Sequence, residues 1–153
     1  MLSMAYQLAQ MNLAVLKAPL DSPQLAGFVM ELGRINALAE SSPGFVWRLQ
    51  DDAGDATGLR PLGDEVLVNM SVWQDIASLR RYAYESEHVD FLRRRREWFV
   101  QSGEMQLVMW WARAGHIPSV AEAMGRLALL KAQGPTVEAF TFAAQFPPPG
   151  AAV

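Results

Sequence analysis

Two histidines and a run of four arginines are the residues of this chain best suited to acid–base or anion chemistry. His88, Phe91, Leu92 and Arg95 fall at i, i+3, i+4 and i+7, so a continuous helix would put all four on one packed face. An imidazole there could serve as a general base, a proton shuttle or an iron ligand. Its plainer role is a core histidine satisfied by a backbone carbonyl. The arginines occupy Arg93 to Arg96. Successive helical residues turn by about 100°, so four cannot all face water if the helix packs. Arg93 is spaced to pair with Glu97 on the outside. Arg95 lies on the His88 stripe and is expected to point inward. There its guanidinium needs an acid such as Glu65 or Asp75, or the anionic group of a ligand.

A second constellation precedes the helix. Asn69, Ser71 and Trp73 alternate along a strand candidate and so share a face. An apolar face interrupted by Asn and Ser suits a cavity wall with a few polar anchors, and equally a packed sheet. The five tryptophans, Trp47, Trp73, Trp98, Trp110 and Trp111, read mostly as core and interface. His116 sits between Gly115 and Pro118 in a loop, placed either at a pocket mouth or as a hydrogen-bonding residue near the next helix start. The chain has no cysteine, which excludes disulfides, cysteine zinc sites, iron–sulfur clusters and thiol nucleophiles. The motifs Gly-x-Gly-x-x-Gly, Gly-x-Ser-x-Gly and His-Glu-x-x-His and the P-loop are absent.

The elements that must position these residues follow from periodicity. Tyr6–Val15 alternates, with Ala9, Met11, Leu13 and Val15 on one face and Leu8, Gln10 and Asn12 on the other. Ser22 reads as an N-cap before Pro23, and Leu25, Phe28, Val29, Leu32 and Ile35 mark a helix over 23–40. Phe45–Gln50 alternates Phe45, Trp47 and Leu49 against Val46, Arg48 and Gln50, and a polar loop over 51–63 leads to the strand Val66–Trp73. Ile76, Leu79 and Ala83 begin a second helical region, recapped at Ser86 and broken at Gln101-Ser102-Gly103. Met105–Ala112 is apolar on both sides, the pattern of a strand covered on both faces. Ser119–Glu122 reads as a capping box opening another amphipathic helix, which Gly134-Pro135 ends. Phe140 and Phe142 flank Thr141 in a short strand, and the Pro147–Gly150 tail is expected to be extended and frayed. The chain thus reads as one α+β domain over 1–146 with a Pro-rich tail over 147–153. Its β-α-β-β-α-β order, the ferredoxin-like arrangement, carries an added C-terminal helix and short strand.

Composition agrees. With 153 residues, 51% hydrophobic and 19% charged, the chain can fill one core. A net charge of −3 gives no broad basic surface for nucleic acid. The N-terminus lacks a basic segment and no apolar run is long enough for a membrane helix, so a cytoplasmic protein is expected. A sheet apolar on both faces but layered with helices on one would leave a large apolar patch, which a second copy would cover in a homodimer.

Asn69-Met70-Ser71-Val72-Trp73 entering a helix that carries His88, within this order of elements, resembles the dimeric α–β barrel superfamily. That superfamily includes antibiotic-biosynthesis and haem-degrading monooxygenases. Pro43–Leu49, Arg93–Phe99, Trp110-Trp111, Ala114–Pro118 and Ala139–Phe142 are similar to one uncharacterised family within it, a domain of unknown function. The resemblance implies a pocket between sheet and helices, lined by a strand asparagine (Asn12 or Asn69), by Trp73 and by His88. These imply Asn69, Trp73 and His88 as the catalytic candidates. Arg95, Asn12, Trp47, Tyr84, Trp98, Trp111 and His116 are the further ligand-binding candidates. The implied function is a pocket for a small apolar or aromatic metabolite, acting as a cofactor-independent monooxygenase-like enzyme. The alternatives are a haem protein with His88 as axial ligand and a non-catalytic dimeric binding module.

Overall fold

The computed structural model describes residues 5–51, 54–101 and 106–150. Four antiparallel strands, β1 (Tyr6–Val15), β2 (Phe45–Arg48), β3 (Val66–Trp73) and β4 (Leu107–Arg113), form one sheet in the order β2-β3-β1-β4. The expected start of the last strand at Met105 lies outside the described residues. In the register, Leu8 opposes Trp73 and Trp111, Gln10 opposes Ser71 and Met109, and Asn12 opposes Asn69 and Leu107. Since side chains alternate with period two, these residues define a front face, while Ala9, Met11, Val68, Met70, Val72, Val108, Trp110 and Ala112 define a back face.

Helices layer the front. A 3-10 turn (Pro23–Leu25) runs into α1 (Ala26–Ser41), which turns Phe28, Ile35 and Ala39 inward. Val29, expected on that stripe, is 43% exposed. Ser22 does not cap with its side chain, because its hydroxyl donates instead to the Pro19 carbonyl at 2.6 Å. The turn into β2 requires Gly44: its φ is +86°, and a Cβ there would stand 2.1 Å from Ser78 Oγ. A register shift between Phe45 and Trp47 breaks the alternation expected for β2. Phe45 therefore joins the front cluster, whereas Trp47 and Leu49 pack on the back.

The second helical region is three helices. α2 (Ile76–Glu85) is capped by Asp75, whose Oδ1 accepts from Ser78 N at 2.8 Å. Ser86 then leaves the helix and its Oγ accepts the His88 amide at 3.2 Å, opening α3 (His88–Arg93). Arg94 (φ −93°, ψ 0°) interrupts the ladder again before α4 (Arg95–Trp98). The run ends at Trp98, earlier than the Gln101–Gly103 breaker, because Phe99 turns extended to bridge Leu16. Ser102 and Gly103 lie outside the described residues.

The back face is covered by the chain itself. Ser119 Oγ accepts from Glu122 N at 3.1 Å to open α5 (Val120–Gln133), and Gly134 (φ +73°) closes it. Ala123, Leu127 and Leu130 of α5 pack into one cluster with Ala9, Met11, Val68, Met70, Val72, Val108, Trp110 and Ala112, all buried within a single chain. α5 of the same chain thus covers the apolar face on which a second copy was expected. Beyond α5, Phe140 pairs with Met109 through two backbone hydrogen bonds (2.9 and 2.8 Å) on the edge of β4, as isolated bridges rather than a full strand. The tail is docked at its start: Trp111 Nε1 donates to the Phe146 carbonyl at 2.8 Å. No helix among the described residues is long and apolar enough to cross a membrane.

Candidate functional site

Two apolar clusters divide the front face. One gathers Leu8, Trp73, Met109, Trp111 and Phe140 under Ala39 of α1 and Leu79 of α2. The other gathers Leu16, Leu67, Leu25 and Phe28 around Trp98. Between them the register sets four polar side chains: Gln10 and Asn12 on β1, Ser71 and Asn69 on β3. Gln10 Nε2 donates to Asn69 Oδ1 (2.9 Å) and to Ser71 Oγ (2.8 Å). Ser71 Oγ also accepts from Trp73 Nε1 at 2.8 Å. Gln10 is 5% and Ser71 8% exposed, so these bonds repay much of the cost of burying amide and hydroxyl. Asn69 is exposed and Asn12 half-buried. The two asparagines are directly cross-strand neighbours, which puts their Cβ atoms about 5 Å apart. Both asparagine candidates are therefore at one place, with a buried polar layer behind them.

An aromatic chain leads from this window toward the broken helices. Phe45 meets Trp73 edge-on at 5.5 Å, Trp73 stacks on Tyr82 at 5.1 Å, Tyr82 lies 4.6 Å from His88, and His88 lies 5.7 Å from Phe91. Tyr82 thus stands between Trp73 and His88. It was legible only as a residue three beyond Leu79 on the packing face of α2. Burial pushes the Tyr82 phenol well above its ordinary range, with the Arg48 guanidinium drawing it part of the way back. The Tyr82 hydroxyl donates to the Ile35 carbonyl at 3.3 Å.

His88 is half-buried. Its Nδ1 lies 3.1 Å from the Ala83 carbonyl, which can only accept, so Nδ1 carries the proton and Nε2 is the bare acceptor. Burial lowers its pKa and the Ala83 bond opposes this, so the ring is neutral near pH 7. Tyr82 and Phe91 flank the ring, with centroids at 4.6 and 5.7 Å.

Arg48 is the other group sequence reasoning passed over. It opposes Ser71, its side chain is only 11% exposed, and it donates to the Gly54 carbonyl at 2.6 Å with Glu40 at 3.6 Å. Its Nε is buried without a hydrogen-bond partner among the described residues. The signal was its strand position across from a front-face serine.

The remaining candidates are dispersed. Arg95 is exposed, because the break at Arg94 ends the stripe it was to share with His88. Arg93 pairs with Asp90 (3.1 Å) rather than Glu97, which instead takes Arg94 (3.0 Å). Trp98 is 1% exposed and holds the lower cluster, with Arg94 over its ring at 4.8 Å. Trp47 packs on the back face. His116 Nε2 lies 2.7 Å from Glu122 Oε1, while Glu122 Oε2 accepts from Trp110 Nε1 at 3.0 Å. Glu122 therefore ties the α5 entrance to β4 instead of closing a reciprocal capping box. Burial pushes its pKa up, but the His116 and Trp110 bonds outweigh that and hold it below the usual carboxylate range. Two open clefts are formed by the described residues. One, of about 330 Å³, is lined by Tyr84, Val89, Leu92, Arg93, Arg95 and Arg96. The other, of about 590 Å³, lies between the start of α2 and the docked tail, with Trp111 and Arg80 in its wall. Among the described residues no three His, Asp or Glu side chains converge as a metal site.

A family model described as "Domain of unknown function (DUF3291)" matches residues 7–153. No curated protein matches the chain. Solved structures similar to it include PA3566 from Pseudomonas aeruginosa, 17% identical over 72% of this chain and 95% of that one, with a TM-score of 0.48. A protein of unknown function from Nitrosomonas europaea, NE2512, is 12% identical over 76% of this chain and 98% of that one, with a TM-score of 0.47. SnoaB from Streptomyces nogalater, described as a cofactor-independent oxygenase, is 19% identical over 77% of this chain and 100% of that one, with a TM-score of 0.45.

Proposed function

Since the chain belongs to the DUF3291 family, whose description names no activity, we propose from its own geometry that it binds a small aromatic or apolar molecule at the polar window of the front face. The single observation that carries this is the Gln10–Asn69–Ser71–Trp73 network: three of its members are buried, and one, Asn69, is exposed at the centre of an otherwise apolar face. With Oδ1 engaged by Gln10, the Asn69 amide keeps its Nδ2 donors for a ligand carbonyl or oxyanion, and Asn12 supplies a second amide beside it. Trp73 is buried at 1% exposure, so its role in this proposal is to set the wall rather than to touch the ligand.

The finer reading is that of an enzyme resembling a cofactor-independent monooxygenase. It is supported by the neutral His88, whose Nε2 can take a proton, and by paired amides that could hold the resulting enolate or phenolate. Tyr82 separates His88 from Trp73, so His88 is a positioning or relay residue in this scheme, not one assigned to the ligand. The β2-β3-β1-β4 order belongs in this proposal to the ferredoxin-like arrangement, with the site contained in one chain.

The test is native mass spectrometry of the purified protein, followed by binding of whatever ligand is retained to Asn69→Ala. A loss of affinity of about tenfold or more with unchanged melting is expected, since a hydrogen bond to an oxyanion contributes about 1.5–3 kcal/mol. Unchanged affinity would reject the window as the site. Oxygen uptake with a phenolic substrate, without an absorbing cofactor, separates the enzyme from a binding module; a Soret band would indicate haem.

A further inference from the structure

We infer that the arginine run builds a second, separate binding site, for a small molecule bearing a carboxylate or phosphate on an apolar body. The run is broken at Arg94, between α3 and α4. In an unbroken helix, positions 93 and 96 would fall within about 60° of each other, while 95 would point about 160° away from 93. Because α3 stops at Arg93 and α4 starts at Arg95, the three side chains instead line one cleft. The floor of that cleft is Val89 and Leu92, both partly buried, and Tyr84 forms its wall on α2.

The charges in the run are not equally engaged. Arg93 is paired with Asp90 at 3.1 Å, and Arg94 with Glu97 at 3.0 Å while it lies over Trp98. Arg95 and Arg96 form no ion pair among the described residues, and both are exposed. Lys17, whose ammonium donates to the Arg96 carbonyl, adds a further cation at this end of α4. A chain of net charge −3 thus gathers unneutralised positive charge at one concave spot. Guanidinium forks match the two oxygens of a carboxylate or phosphate, and the Val89–Leu92 floor favours an apolar group attached to it. The cleft, about 330 Å³, is at the lower end of ligand-sized pockets and suits one ring with its acid group. The asparagine window plays no part in this inference, so the two can fail independently.

Calorimetric titration of the full chain with phenyl phosphate, benzoate and inorganic phosphate tests it. One of the two aromatic anions should bind saturably and more tightly than inorganic phosphate, and the preferred one identifies the acid group. Arg95→Ala/Arg96→Ala should weaken that binding at least about tenfold, while Arg93→Ala, already paired with Asp90, changes it by less than about threefold. Both mutated residues are exposed, so melting should not move; if the double variant misfolds, Arg95→Gln/Arg96→Gln takes its place. No saturable binding of either aromatic anion would overturn the site, as would equal binding by the double variant. Inorganic phosphate binding as tightly as phenyl phosphate would overturn the role of the apolar floor.

Discussion

The two faces of the sheet are built to opposite rules. On the back, Ala9, Met11, Val68, Met70, Val72, Val108, Trp110 and Ala112 are apolar and buried beneath α5, and Glu122 joins Trp110 and His116 at the rim. On the front, two apolar clusters stop short of each other and leave Gln10, Ser71, Asn12 and Asn69 between them. A dry face can be completed by shape alone. A face with a polar centre must satisfy each donor, and beyond α1 its cover is broken into the three shorter helices α2, α3 and α4. The difference teaches where stability and where recognition reside: the back holds the fold together, and the front carries groups that stability alone would not select.

The largest expected effect lies on the back. Leu127→Ala removes a fully buried side chain between α5 and the sheet and should cost about 2–5 kcal/mol, read from urea unfolding. A cost near zero would mean that α5 does not cover this face in solution. Light scattering sharpens the same point: the mass of one chain is expected at micromolar concentration, and the mass of two would return the back face to the homodimer expected from sequence.

Next comes the polar layer. Ser71→Ala leaves the Gln10 amide short of one acceptor and the Trp73 indole without the Ser71 hydroxyl, at a cost of about 1–3 kcal/mol. If melting is unchanged, the network is not satisfied as described. Asn69→Ala should barely alter stability, within about 0.5 kcal/mol, because the residue is exposed. A loss as large as that of Leu127→Ala would erase the contrast between the faces.

The smallest effect is in pH dependence. The folded His88 has a pKa below its unfolded value of about 6.5, so the unfolded chain binds the extra proton. Stability is therefore undiminished above pH about 6.5 and falls as the pH drops through the window down to the folded pKa. His88→Gln should flatten that fall, and melting curves between neutral and mildly acidic pH check it. An unaltered slope would place the titration elsewhere.

The front-face residues show how much was legible. Leu8, Gln10 and Asn12 were separable from Ala9, Met11 and Leu13 by alternation alone, and Asn69, Ser71 and Trp73 likewise, because strand side chains alternate whatever the strand packs on. That Asn12 and Asn69 meet required the β1–β3 register, which joins residues 57 positions apart in a chain of antiparallel pairs. Tyr82 and Arg48 were missed for a related reason: neither breaks a local pattern, and both matter only through neighbours distant in sequence.

The sequence by itself determined the two faces of β1, β3 and β4 and the starts of α2 and α5, since these rest on period-two alternation and on caps reaching three residues. Tertiary structure alone decided the rest. It set α5 over the back face, where a second copy was expected, because a face of apolar side chains is satisfied by any complementary surface and sequence pattern does not say whose. It also broke the arginine helix at Arg94, where Trp98 is drawn into the cluster of Phe28 and Leu67 and Phe99 into a bridge with Leu16. Burying the Trp98 ring offsets the helical hydrogen bonds the break gives up, a balance that depends on partners the local sequence does not contain.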